Sequence, residues 1–164
     1  MHTMPPDHPL VPAIALYKFG DELLDKALQG LSRDELLHRA GPTSNPILWL
    51  AGHIAITRFR IGNVLGPPED VPLEYLFGAR SRPEHVLVYP DLDVIRGLHR
   101  SATERLYARI AGATPGKLQE NTPRSNRSVR EMVHQMAYHE ALHVGQILFL
   151  RKVLGHATDD PIMD

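Results

Sequence analysis

The chain has 164 residues, 43% of them hydrophobic and 23% charged, which predicts one globular domain spanning 1–164 with a buried core. A net charge of -1 provides no broad attraction to nucleic acid or to an anionic membrane, and we expect neither as a partner. The absence of cysteine excludes disulfides, thiolate metal ligands and a cysteine nucleophile.

No segment of the sequence resembles a membrane span or a targeting signal. No apolar run approaches the roughly 20 residues that cross a bilayer. The first 12 residues contain four prolines and no basic residue, unlike a secretory signal peptide. By default, these observations predict a cytoplasmic protein.

The first predicted helix covers about residues 12–29, where apolar residues recur at helical spacing and Gly30 follows as a stop signal. Ser32 and Glu35 then have the spacing of a capping box, which predicts a short turn of helix.

The second predicted helix starts near Ser44, has Pro46 in its first turn and ends before Gly66. Because it is apolar almost all round, we expect it to be the most buried helix. Residues 66–90 form the longest irregular stretch, with five prolines. A linker of this length can cross a bundle, so helices two and three need not be antiparallel neighbours.

Asp91 is predicted to cap the third helix, which ends at Gly112. The fourth helix has the clearest boundaries, because Ser128 and Glu131 form a second capping box and Gly155 marks the end. Four long helices with almost no strand pattern predict an all-α four-helix bundle.

Three of the ten histidines fall on faces that are otherwise apolar. Residues 3, 4 or 7 positions apart share a helix face, so His139 and His143 join one predicted core stripe. The other members of that stripe are Met132, Met136, Ile147 and Leu150. His53 lies similarly on the second helix. A lone core histidine usually hydrogen-bonds a carbonyl or carboxylate, but three of them, two at ligand spacing, favour a metal site.

Five further residues carry alternative interpretations. His99 is either an additional ligand or partner of the metal site, or a residue at the buried edge. Glu140 could act as a general base or orient a ligand, or it could be a rim glutamate in water. Gln146 could bind substrate or close the bundle, and Arg60 could receive an anionic group or form an interhelical salt bridge. A tryptophan in the position of Trp49 more often packs in the core than lines a substrate pocket.

Residues 139–143 read His-Glu-Ala-Leu-His and match the zinc-protease signature H-E-x-x-H. One extension of that signature needs glycine at 146 and histidine at 149, where this chain has Gln146 and Phe149. A downstream glutamate ligand is also excluded, because Glu140 is the last glutamate. A zinc protease is therefore a remote alternative.

The chain resembles the DinB/YfiT-like family over nearly its whole length. The resemblance rests on Ile-Leu-Trp-Leu-Ala-Gly-His at 47–53, His-Glu-Ala-Leu-His-Val-Gly-Gln-Ile at 139–147 and the basic Arg-Lys-Val-Leu-Gly ending at 151–155. It implies a bundle with up-down-down-up order, a metal (usually zinc or nickel) on His53, His139 and His143, and frequent homodimers. Some relatives are transferases or isomerases that use mycothiol or bacillithiol.

Three neutral imidazoles would leave an ion strongly Lewis-acidic, with one position open to water or substrate. We therefore expect a metal-dependent enzyme acting on a small molecule, as a hydrolase or a thiol-dependent S-transferase. Because cysteine is absent, the sulfur nucleophile would come from a low-molecular-weight thiol. Two alternatives are a non-catalytic, stress-related bundle with a structural metal, and a metal-free core with hydrogen-bonded histidines.

Overall fold

The structure is a computed structural model that describes residues 5–81, 88–122 and 125–156. Within these ranges the regular secondary structure is helical, apart from an isolated antiparallel β-bridge between Asn121 and Ser128. Two stretches discussed in the sequence analysis lie outside the described residues: 1–4, in the N-terminal segment, and 82–87, in the predicted crossover. None of the described helices is long and apolar enough to cross a membrane. The helices are α1 (Val11–Leu28), α2 (Arg33–Leu36), α3 (Ile47–Leu65), α4 (Glu74–Phe77), α5 (Leu92–Ala111), α6 (Pro115–Gln119) and α7 (Val129–Val153).

Most of the predicted helix boundaries are confirmed. Both capping boxes form, with Ser32 before α2 and Ser128 before α7. Gly30 and Gly155 follow α1 and α7 with φ of 72° and 84°, a left-handed conformation that glycine adopts without steric cost. The four long helices predicted from periodicity are therefore confirmed.

One helix start and one capping interaction differ from the prediction. The helix expected from Ser44 begins at Ile47, and Pro46 is its extended N-cap residue rather than part of its first turn. Proline followed by an apolar run is equally compatible with both positions, so the sequence alone could not separate them. Asp91 does precede α5, but its side chain makes no capping hydrogen bond.

Contacts between the long helices define their directions. The Tyr17 hydroxyl lies 3.4 Å from the Val133 carbonyl oxygen, and Arg151 donates to the Gln29 carbonyl oxygen at 2.6 Å. Residue numbers thus rise together along α1 and α7, so these helices are parallel. The same argument makes α3 and α5 parallel, because Arg105 bonds the Phe59 carbonyl and Arg109 bonds the Pro67 carbonyl.

Helices α3 and α7 run in opposite directions. The His53 and His143 rings lie 5.0 Å apart, whereas Ile61, further along α3, lines the same cleft as Met132, near the start of α7. The order is therefore up-down-down-up, as predicted. The segment between α3 and α5 carries the chain back across the bundle so that the two helices can lie parallel.

The apolar core is divided into two clusters. One surrounds the first half of α3, and the other lies between the second half of α3, the start of α1 and the start of α7. As predicted, α3 is the most enclosed long helix: only Arg60, Asn63 and Val64 are not buried. Arg58 and Glu140, both buried, lie on α3 and α7 between the two clusters.

The core-facing side of α7 differs from the predicted stripe. Its fully buried face contains Val129, Val133, Ala137, Glu140, Val144, Ile147 and Leu150. His139 and His143 are only partly buried, as are Met132 and Met136. The stripe predicted around the histidines is therefore rotated from the true core face by about 60°, since each residue turns ~100°, and only Ile147 and Leu150 belong to both. The histidines face the boundary between α7 and α3 instead.

Candidate metal centre

The structure brings together the three histidines that the sequence singled out. The ring of His53 on α3 lies 5.6 Å from that of His139 and 5.0 Å from that of His143, and the two α7 rings are 4.4 Å apart. One nitrogen from each ring lies within 4.8 Å of the others. In the described ranges, this is the only group of three or more histidine or carboxylate ligands with such spacing.

Hydrogen bonds select which nitrogen is free in two of the three rings, those of His53 and His143. Nδ1 of His53 lies 2.7 Å from the Phe77 carbonyl oxygen, and Nδ1 of His143 lies 2.8 Å from Oε1 of Gln146. Both partners are acceptors, so each Nδ1 carries the proton and each Nε2 keeps its lone pair. Burial lowers the pKa of His53 to about 4, which keeps this imidazole neutral at pH 7.

Packing around α3 fixes the orientation of His53. The Trp49 indole stacks on the His53 ring at 4.6 Å and 11°, and its Nε1 donates to the Ser81 hydroxyl at 2.6 Å. A Cβ on Gly52 would lie 2.4 Å from the Phe77 ring, closer than any side chain tolerates. Glycine at position 52 thus lets Phe77 lie against α3, where its carbonyl oxygen accepts the hydrogen bond from His53.

The spacing of the nitrogens fits a small divalent cation. Nε2 of His139 and Nε2 of His143 are 3.1 Å apart. Zinc–nitrogen bonds of about 2.0–2.1 Å in a tetrahedral site place ligand nitrogens about 3.3–3.4 Å apart. Two neutral lone pairs at this distance repel unless a proton or a cation lies between them. The three imidazoles therefore fit zinc or a similar ion.

Glu140 lies in the core, so the interpretation of a rim glutamate in water is wrong. Its side chain is 3% exposed, and its oxygens accept from Arg58 Nη2 at 2.5 Å and Nε at 2.9 Å. Position 140 shares the helix face of Ala137 and Val144, which accounts for this burial. Its hydrogen-bond partners in the described chain include none of the three histidines, and its role as a base stays a prediction.

Comparison with known proteins identifies the family. The profile of the DinB superfamily matches residues 16–147, which include all three histidines. The chain belongs to the DinB superfamily. Among solved structures, YfiT from Bacillus subtilis aligns with a TM-score of 0.55 and 14% identity, over 96% of this chain and 93% of that chain. YfiT is described as a probable metal-dependent hydrolase with an unusual four-helix bundle topology, and the likeness shows a shared fold. No curated protein matches the chain.

Arg58 is a residue of this DinB-superfamily chain that the sequence analysis missed. It is fully buried, contacts Asp21 at 2.7 Å and also bonds Thr103 and the Tyr17 carbonyl oxygen. Glu140 and Asp21 outweigh the effect of burial, so the pKa of Arg58 is raised and its charge is permanent. An arginine inside a helix that is apolar all round was the available signal, because a buried charge requires a paired acid.

His99 belongs to another part of the DinB-superfamily bundle. Its Nε2 lies 3.4 Å from Asp21 Oδ1, in a cleft between α1 and α5 that Thr103 also lines. It is not part of the three-histidine group, so the structure does not support the interpretation as an additional ligand. Burial and, second, the charge of Arg58 lower the pKa of His99 to about 3.

A cleft of about 260 Å³ opens beside the three histidines of the DinB-superfamily chain. His53 and His139 form one side, and Arg60 also lines it. Its apolar wall consists of Ile61, Val64, Met132 and Met136. The cleft is therefore a route by which small molecules can reach the side chains of His53 and His139 from solvent.

Proposed function

We propose that this DinB-superfamily protein binds one divalent metal ion, zinc or nickel, on His53, His139 and His143. We further propose that it is an enzyme acting on a small molecule, by hydrolysis or thiol-dependent S-transfer. The supporting observation is the convergence of three imidazoles, two of which have an acceptor at Nδ1 that leaves Nε2 free for a metal. YfiT, described as a probable metal-dependent hydrolase, favours the hydrolytic form.

A divalent ion held by three neutral ligands supplies Lewis acidity and lowers the pKa of bound water to about 7. The chain itself orients the ligands through the Phe77 carbonyl and Gln146, as the partners of metal-binding histidines generally do. The cleft beside His53 and His139 gives a substrate access. Because the chain has no cysteine, an S-transfer would need a low-molecular-weight thiol as co-substrate.

The alternative of a structural metal requires a closed coordination shell. Within the described residues, neither His99 nor Glu140 joins the group of converging ligand atoms, which supports an open fourth position. The zinc-protease alternative is not favoured, because the signature glutamate, Glu140, is hydrogen-bonded to Arg58 in the core.

Metal analysis of untagged protein tests the proposal. We expect about one zinc or nickel ion per chain, lost in His143→Ala. His134→Ala is the matched control, because this histidine lies on the same helix and, within the part of the chain that the structure describes, bonds only the Arg130 carbonyl oxygen. The proposed metal site would be refuted by a metal content far below one ion per chain in the wild type that does not change in His143→Ala. Zinc bound with no exchangeable water or thiol ligand would favour the structural alternative.

We also propose a homodimer formed through α7. Exposed apolar residues follow one face of this helix at spacings of four, seven and four, with half or more of each exposed: Tyr138, Leu142, Phe149 and Val153. Light scattering should give a dimer for the wild type and a monomer for Leu142→Glu, with Val94→Glu on α5 as the control. The cytoplasmic location stays a prediction, which cell fractionation can test.

A further inference from the structure

The cleft beside the three histidines has a chemical character of its own. Its wall between α3 and α7 is apolar, and two methionines, Met132 and Met136, supply flexible surface. Among the described residues that line it, none is acidic, and Arg60 is the only one with a permanent charge. Its volume of about 260 Å³ equals that of about nine waters at ~30 Å³ each, below the usual range for drug-sized ligands.

Arg60 is held at the cleft by a bond that an incoming anion can replace. Its Nε and Nη2 donate to one oxygen of Glu74 at 2.9 and 2.6 Å. The two side chains are 38% and 51% exposed, and ion pairs this exposed contribute little to stability. Within the described ranges Nη1 makes no hydrogen bond, so the guanidinium can also bind a second acceptor.

Helix geometry sets the distance between the two ends of the cleft. Arg60 follows His53 by seven residues, which places the two on the same face and about 10 Å apart along α3. A molecule with one end at the histidines and the other at Arg60 would lie along the apolar wall. This arrangement requires a short apolar body between two polar ends.

We propose that the cleft selects small carboxylates: molecules with a metal-binding head group, an apolar body of about six carbons and a terminal carboxylate that binds Arg60. This inference rests on the proposed function, because the head group needs a metal on the three histidines. It adds the substrate class, which neither the superfamily match nor the fold defines.

The test uses protein loaded with cobalt(II) and the absorbance of the cobalt–thiolate bond. The probes are 6-mercaptohexanoate and its neutral counterpart, 6-mercaptohexanol. We expect the wild type to bind the carboxylate about two- to fivefold more tightly than the alcohol, the range expected for a partly exposed ion pair. Arg60→Gln should abolish this preference without changing the affinity for the alcohol. Glu74→Gln should increase the preference for the carboxylate, because Arg60 then no longer forms its ion pair with Glu74.

The outcomes separate this inference from the proposed function. Equal binding of acid and alcohol to cobalt-loaded wild type would overturn the carboxylate preference and leave the metal site intact. A preference that survives in Arg60→Gln would overturn the role of that residue. Failure to bind cobalt would overturn both proposals. Mercaptoacetate, too short to reach from the histidines to Arg60, should show no dependence on Arg60→Gln.

Discussion

The ion pair between Arg58 and Glu140 yields a quantitative prediction for Glu140→Gln. Both glutamate oxygens accept hydrogen bonds from a guanidinium that is completely buried. A glutamine keeps one acceptor but turns an amide group toward the guanidinium, so one bond is replaced by a contact between two donors. Removing one partner of a buried pair typically costs about 3–5 kcal/mol, because the remaining charge is left uncompensated.

Asp21 moderates this loss. Its carboxylate lies 2.7 Å from Arg58 and is 28% exposed, so some compensation for the charge remains. We therefore expect a loss of about 3 kcal/mol in the free energy of unfolding, measured by urea denaturation at pH 7. For a chain of this length, that corresponds to a decrease in Tm of about 6–12 °C.

Glu140→Gln also separates the two roles considered for this residue. We expect metal stoichiometry to be unchanged, because neither oxygen bonds a histidine. Arg58→Met combined with Glu140→Leu should be more stable than Glu140→Gln, since the one carboxylate left without its arginine, Asp21, is partly exposed to water and no fully buried charge remains. A change of less than about 0.5 kcal/mol for Glu140→Gln would refute this reasoning. Lost activity at unchanged stability would instead support the role as a general base.

Three further predictions concern the residues around the site. Gly52→Ala should weaken metal binding and lower Tm, measured by titration and calorimetry, because its Cβ displaces Phe77; full retention of both would contradict the packing argument. Gln146→Ala should reduce metal affinity about 10–100-fold through His143, an effect that Gln146→Glu should not reproduce. Burial and the charge of Arg58 lower the pKa of His99 to about 3, so below about pH 6.5 the unfolded chain binds more protons than the folded chain. His99 should contribute about 2 kcal/mol to the stability that metal-free protein loses from pH 8 to pH 5, and His53, whose pKa is also lowered, should contribute separately. His99→Gln should therefore lose about 2 kcal/mol less than the wild type over this range, measured by urea denaturation; an equal loss in both would contradict the prediction.

The sequence was sufficient to predict the long helices and the pair of histidines on one face of the last helix, because both depend on local spacing. Capping boxes and glycine stops define helix ends within a few residues, and a separation of four places His139 and His143 on one face whatever surrounds them. The linker length pointed to a crossing of the bundle, and the family resemblance supplied the helix order. Convergence with His53 followed from that order.

Other features depend on contacts between distant segments. The carbonyl oxygen that accepts a hydrogen bond from His53 belongs to Phe77, at the end of the short helix α4. No pattern in the sequence after α3 indicates this contact. The pairing of Arg58 with Glu140 joins residues 82 positions apart. Without it, the sequence left a solvent-exposed Glu140 as one of two interpretations, and the core face of α7 was predicted about 60° away from its true position. Periodicity finds a stripe but does not identify which neighbour the stripe contacts.

The stacking of Trp49 on His53 gives the protein an intrinsic optical reporter. This is the single tryptophan of the chain, so its fluorescence arises from one place, 4.6 Å from a ring of the proposed metal site. Nickel, cobalt or copper bound to that histidine should quench the emission, whereas zinc should leave it bright. Occupancy and exchange kinetics can thus be followed in unlabelled protein, with no dye and no engineered probe.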